Sequence, residues 1–249
     1  MELYFIRHPS GQSRNNAHWN DPNYKESPDP VLTDIGIEQA HCLADFLGRT
    51  QVIADDKSWN IQNRLGFGLT HIYTSPMERA VHTAAPTARR LGVPFAAWTE
   101  IHESGGIYGR DGEMKLMGLP GQPRSYFEQN FPELALPISL NGVGWWNRPL
   151  ETEDEAHQRA EALWAELLSR HGDKEGEPEE RVALFSHGGF FVHLMCAIFN
   201  IPWRQASRGM KAWFVLNNCS ISRLDVRGNE LSVAYLNRTD HLPDHLITG

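Results

Sequence analysis

Three short strand-like runs, Leu3 to Ile6, Thr70 to Thr74 and Val182 to Phe185, constrain this chain more than any other feature, because helical patterns separate them. Runs of four or five residues rich in apolar and β-branched side chains and bounded by turn formers read as buried strands. Strands that alternate with helices through right-handed crossovers build a mostly parallel sheet with both faces covered. The expected fold is α/β, three layers in the order α/β/α, with antiparallel strand pairing near the C-terminus. There Trp213 to Leu216, Ile221 to Val226 and Leu231 to Leu236 follow closely, the last two joined as a hairpin through Arg227-Gly228-Asn229.

The helices announce themselves by caps and period. Thr33 reads as an N-cap, with Ile37, Ala40, Ala44 and Leu47 on one face and Gly48 as a stop. Ser75-Pro76-Met77-Glu78 has the form of a capping box with Pro at the first helical position. The helix it opens carries Ala80, Val81, Ala84 and Ala88 inward, is expected to kink or break at Pro86, and ends at Gly92. Thr152 and Glu155 form a second capping box ahead of Ala156, Ala160, Leu163, Trp164 and Leu167. An apolar helix, Phe190 to Phe199, follows Ser186-His187-Gly188-Gly189, and Pro94 to Trp98 reads as an edge strand. Residues 104–149, rich in Gly and Pro and holding Trp145-Trp146, lack a long periodic segment. They read as an irregular insertion or lid over the pocket of a single domain spanning 1–249.

Composition narrows the partners. A formal charge of −8 argues against nucleic acid and anionic membrane surfaces, which demand a basic face. No run reaches the roughly 18 apolar residues of a membrane span, and Arg7 interrupts the first apolar run before it could serve as a secretion signal, so a cytoplasmic protein is expected. Cys42, Cys196 and Cys219 are odd in number, far apart and in apolar surroundings, which suits reduced core residues. His241 and His245 stand at helical spacing but lack a third ligand nearby, so no metal is assigned to them.

In open α/β sheets ligands bind beyond the carboxyl ends of the strands. Arg7 and His8, Arg79, and His187 all lie at or just after such ends, and their side chains suit a phosphate. Together the passages Arg7-His8, Ser75-Pro76-Met77-Glu78-Arg79-Ala80-Val81-His82-Thr83-Ala84 and Ser186-His187-Gly188 resemble the histidine phosphatase superfamily, which includes cofactor-dependent phosphoglycerate mutases and many phosphomonoesterases. The middle passage matches the family's S-P-x-x-R-A-x-x-T-A signature throughout. The first departs from it: the family continues RHG-E/Q-S-x-x-N, whereas Pro9-Ser10 precedes Gly11-Gln12-Ser13-Arg14-Asn15-Asn16 here.

The resemblance implies a reaction. His8 would attack phosphorus as a neutral imidazole, with Arg7, Arg79 and a protonated His187 neutralising the phosphoryl oxygens, and with no metal or other cofactor. Gln12, Ser13, Asn16 and Gly188 would add phosphate or substrate contacts. The leaving alkoxide would take a proton from Glu103 in Ile101-His102-Glu103, with Glu100 as the fallback. Arg148, Arg238 and the Trp pair fit a pocket wall and an ordinary surface and core equally well. The expected activity is hydrolysis of a small phosphorylated metabolite. Phosphoglycerate mutation with the same residues is the first alternative, and a phospho-ligand-binding module without turnover the second. A homodimer is left open.

Overall fold

The computed structural model describes residues 1–11, 27–50, 62–173, 176–203 and 214–249. In chain order the elements are β1 (Glu2–Arg7), α1 (Asp34–Leu47), β2 (His71–Thr74), α2 (Glu78–Leu91), β3 (Phe95–Ala97), β4 (Tyr108–Arg110), β5 (Leu116–Gly118) and α3 (Arg124–Asn130). Then come β6 (Leu134–Ala135), α4 (Glu153–His171), β7 (Arg181–Ser186), α5 (Gly188–Ile198), β8 (Ile221–Arg227) and β9 (Glu230–Arg238). Seven strands form one sheet in the order β6-β3-β2-β7-β1-β8-β9, while β4 and β5 pair separately as an antiparallel hairpin. The pairs from β6 through β1 are parallel, and β1–β8 and β8–β9 are antiparallel, as the sequence predicts.

Alternation along the central strands sorts their side chains into two cores. Tyr4, Ile6, Ala183 and Phe185 pack with Leu43, Phe46, Val81 and Ala84 from α1 and α2. Leu3, Phe5, Val182 and Leu184 pack with Leu163, Leu167, Phe190 and Leu194 from α4 and α5. Because successive strand residues face opposite ways, a strand buried on both sides must be apolar throughout. That is the composition of β1 and β7, and it yields the three expected layers.

Several local expectations hold and several do not. Thr33 caps α1 through its hydroxyl, which accepts the Gly36 N–H at 3.0 Å, and Thr152 with Glu155 forms the complete capping box of α4. Gly92 ends α2 in the left-handed conformation, with φ of 65°. The box at Ser75 does not form, because α2 starts at Glu78. Its Glu78 N–H donates to Asp29 from the segment before α1, while the Glu78 carboxylate accepts from Gln122 and Tyr126. Pro86 does not break α2, which runs on to Leu91. The strand at Phe95–Ala97 is not an edge, because Leu134–Ala135 adds outside it. Residues 104–149 are therefore less irregular than their composition predicts, supplying a hairpin, a helix and a sheet strand. Residues 214–216 are not a strand, and Trp213 lies outside the described residues. All three cysteines are free. Among the described residues no helix is long and apolar enough to cross a membrane.

Candidate active site

Strand register brings the tips to one level. Arg7 pairs with Ser186 across β1 and β7, and Thr74 pairs with Phe185 across β2 and β7. His8, Ser75 and His187 therefore leave three adjacent strands together. Backbone bonds extend the ladder by one residue, from His8 N–H to the Ser186 carbonyl at 2.9 Å and from Ser75 N–H to the Phe185 carbonyl at 3.0 Å. The His8 and His187 rings consequently face each other with centroids 5.1 Å apart.

His8 is held in one tautomer. Its Nδ1 lies 2.6 Å from the Pro9 carbonyl, which can only accept, so Nδ1 carries the proton and Nε2 keeps its lone pair. The Arg79 Nε–H donates to that lone pair at 3.2 Å. Burial first, then the charges of Arg79 and Arg7, hold the His8 pKa well below the ordinary imidazole value, so the ring is neutral. The two residues that depart from the family pattern build this geometry. Pro9 supplies the orienting carbonyl, and Ser10 is pinned to α1 by its N–H to the Gln39 side chain at 2.8 Å and by its carbonyl, which accepts the Thr33 N–H at 3.0 Å. Gly36 is required beside it, since a Cβ there would stand 2.2 Å from the Ser10 carbonyl oxygen.

The cations are positioned from three sides. Arg7 donates through one terminal nitrogen to the Leu216 carbonyl, and its buried Nε has no partner among the described residues. Its guanidinium lies against Gly188, where a Cβ would approach Nε to 3.3 Å. Arg79 is flanked by the buried Asp29 carboxylate, 3.6 Å from its terminal nitrogen. Asp29 itself is pushed up to about 7, chiefly by burial and against the pull of Arg79. His187 is completely buried, with Nε2 2.9 Å from the Ser75 hydroxyl and Nδ1 without a partner among the described residues. Burial first, then the charge of Arg79, lowers its pKa well below the ordinary value and favours the neutral ring, where the resemblance implies a protonated one.

Glu103 lies in the loop after β3 and reaches the start of α5. Its carboxylate accepts the N–H groups of Phe190 at 2.8 Å and Gly189 at 3.2 Å. Gly189 makes room for it, since a Cβ there would meet a Glu103 oxygen at 2.6 Å. Its loop is fixed by the Ser186 hydroxyl, which donates to the Ile101 carbonyl at 2.6 Å. Arg159 holds the same loop by donating to the carbonyls of Glu100 at 2.6 Å and His102 at 3.2 Å. His102 in turn bonds through Nδ1 to the Glu103 carbonyl at 2.7 Å. Glu100 is turned to its own side of this loop, bonded by Thr99, and Glu103 is the carboxylate whose charge acts on Arg7.

Arg7, His8, Arg79, His187, Gly188 and Glu103 thus converge, whereas Gln12, Ser13 and Asn16 lie outside the described residues. Arg148 stacks over Trp146 at 4.1 Å and donates to His102 at 3.2 Å, and both tryptophans are buried. Arg238 is paired with Asp240 and with the Gln62 carbonyl. His241 is buried against the Phe46 ring, burial pushing its pKa down to about 4, and among the described residues it joins no metal-ligand cluster with His245. Sequence reasoning missed Asp29, Arg159 and Ser186. Only Asp29 carried a signal, a carboxylate stiffened between Pro28 and Pro30.

The profile of the histidine phosphatase superfamily (branch 1) matches residues 61–239, a span that takes in Ser75 to Ala84 and Ser186 to Gly188 but begins after His8. No curated protein sequence matches the chain. Solved structures do. A mycobacterial glucosyl-3-phosphoglycerate phosphatase is 19% identical, with 96% of this chain and 99% of that one covered and a TM-score of 0.56. The α-ribazole phosphatase of Shigella flexneri is 20% identical over 96% of both chains, also at 0.56. A mutant phosphoserine phosphatase of Entamoeba histolytica, complexed with phosphoserine, is 19% identical over 97% and 99% of the two chains, at 0.53. At such identities the likeness establishes the fold, and the profile, which covers more than half of the sequence, establishes the family. The chain belongs to the histidine phosphatase superfamily, branch 1.

Proposed function

We propose that this protein is a phosphomonoesterase that passes the phosphoryl group of a small organic phosphate to His8 and then to water. One observation carries the reading. A neutral imidazole with an oriented Nε2 lone pair stands beside two buried nitrogens that lack partners among the described residues, Arg7 Nε and His187 Nδ1. A buried donor without an acceptor is costly, and phosphoryl oxygens would satisfy Arg7 Nε–H and, once His187 is protonated, its Nδ1–H.

In the first step the His8 Nε2 lone pair attacks phosphorus, the bond to the leaving oxygen breaks, and the Glu103 carboxyl gives its proton to that oxygen. The incoming phosphate dianion raises the proton affinity of His187, so its ring holds a second proton only once substrate is bound. Arg79 Nε–H, now on His8, turns to a phosphoryl oxygen and frees the lone pair. In the second step water attacks phosphorus, Glu103 takes its proton, and the N–P bond breaks with its electron pair returning to Nε2. Charge is neutralised by Arg7, Arg79 and His187, so the scheme calls for no metal or organic cofactor.

Residues 104–149 would act as a lid within one domain spanning 1–249, because Gln122 and Tyr126 grip Glu78, the residue before Arg79, at 2.6 Å and 2.5 Å. The names of the phosphatase neighbours favour hydrolysis over mutation and leave the substrate class at small phosphorylated metabolites. His8→Ala is expected to lower phosphate release from an aryl phosphate by at least about a thousandfold. The unmodified protein is expected to trap acid-labile, base-stable phosphate on His8. Interconversion of 3- and 2-phosphoglycerate without phosphate release would replace hydrolysis by mutation, and phosphate binding without turnover would replace the enzyme by a binding module.

A further inference from the structure

A second histidine cluster stands at the opposite rim of the sheet. His71 opens β2, Glu180 precedes β7, and the parallel register sets His71 level with Val182 on the neighbouring strand. His171, the last residue of α4, comes down onto them. One ligand-type atom of each residue lies within 4.8 Å of the other two, and the rings of His71 and His171 are 4.8 Å apart.

The donors are oriented as metal ligands usually are. His171 is buried, its Nδ1 is 2.5 Å from a Glu180 oxygen and its Nε2 is 3.1 Å from the Tyr73 hydroxyl. The His71 Nδ1 is 2.9 Å from the Thr70 hydroxyl. The Tyr73 and Thr70 contacts fix ring orientation and ligand basicity as they do in metal centres, and a metal would stand between His171 Nδ1 and Glu180 in place of their shared proton. The nearby Arg170 lies over the Trp98 ring and pairs with Glu166, and it also bonds to Tyr73 and places its positive charge near His171.

We propose that His71, His171 and Glu180 form a binding site for a divalent transition-metal ion, zinc foremost, clamping the end of α4 to the rim of the sheet remote from His8. Two imidazoles and a carboxylate suit zinc, and its bonds of about 2.0–2.2 Å require the three side chains to close in by less than about 1 Å. Water completes the shell. Glu180 and His71 are half-exposed, so they move without disturbing the core. A metal that binds only the folded chain raises its stability by mass action.

The test uses the full chain, stripped with a chelator and titrated with zinc chloride in a calorimeter, with thermal unfolding followed in parallel. One equivalent is expected to bind and to raise Tm. His71→Ala and Glu180→Gln, at half-exposed positions, are each expected to weaken binding at least about tenfold and to abolish the Tm shift, while His8→Ala leaves both unchanged. Unaltered binding in His71→Ala and Glu180→Gln would overturn the site, as would no uptake at submillimolar zinc. Loss of binding in His8→Ala would overturn it too, placing the metal at the other histidine pair.

Discussion

Two histidine pairs stand at opposite ends of one sheet, and the chain treats them in opposite ways. His8 and His187 stand 5.1 Å apart at a tilt of 55°, and His71 and His171 stand 4.8 Å apart at 58°. Ring geometry does not distinguish them, but their neighbours do. The first pair shares its end of the sheet with Arg7 and Arg79, and the second touches Glu180. Two neutral imidazoles among guanidiniums invite an anion, whereas the same rings beside a carboxylate invite a cation. The function of a buried histidine is therefore written in the formal charge around it as much as in its own ring.

After loss of His8 itself, the largest effect should come from removing the charge that separates the two ends. Arg79→Ala is expected to lower kcat/KM for an aryl phosphate by about 10²–10³-fold, the cost of losing one preorganised donor to developing charge. It should also move the acidic limb of the pH profile. Arg79 is one of the causes that depress His8, so without it the His8 pKa rises toward the ordinary value and protonation silences the nucleophile at higher pH. A limb that shifts to lower pH, or not at all, would break the comparison.

Asp29 is the exception that sharpens the rule, a carboxylate at the anion-binding end. It sits 3.6 Å behind Arg79 and accepts the Glu78 N–H at 3.2 Å, so it aims the guanidinium and does not compete for it. Asp29→Asn is expected to lower kcat roughly ten- to hundredfold, with little change in KM, by loosening Arg79 on His8. Its stability should change with opposite sign. The folded pKa of about 7 lies above the unfolded value, so the folded wild-type chain binds more protons and loses stability as pH rises through 7. The variant lacks that loss, so its urea midpoint should gain on the wild type between pH 5 and pH 8.

What the sequence made legible was whatever depends on local pattern. The apolar runs of β1 and β7, the caps at Thr33 and Thr152 and the strand-tip positions of Arg7, His8, Arg79 and His187 follow from period and turn chemistry. The failures share a cause. Ser75 has the pattern of a capping box with Glu78, but Asp29 arrives from 49 positions away to take the Glu78 N–H, and Gln122 and Tyr126 take its carboxylate. Tertiary partners of that kind outbid local ones and leave no periodic trace. Pro86 is a milder case, since packing of Val81, Ala84, Ala85 and Ala88 holds α2 together across the missing donor. The anchorage of Glu103 by Ser186, Arg159 and the start of α5 requires three distant segments to meet, which no local pattern records.

That anchorage gives the smallest and most discriminating test. Gly189 lies in the first turn of α5 with ordinary helical backbone, so no conformational demand calls for glycine. Alanine is favoured over glycine within a helix by up to about 1 kcal/mol, and on local grounds Gly189→Ala should stabilise the chain or leave it unchanged. What the glycine provides is room, since the added Cβ would stand 2.6 Å from a Glu103 oxygen and push the carboxylate off the Gly189 and Phe190 N–H groups. If Glu103 protonates the leaving oxygen, a displaced carboxyl should lower kcat by about tenfold for an alkyl phosphate, whose leaving group needs a proton. For a nitrophenyl phosphate, whose leaving group departs as the anion, the change should be small. An equal loss on both substrates would mean that Glu103 serves only as a cap for α5, and its place at the anion-binding end would then be architectural.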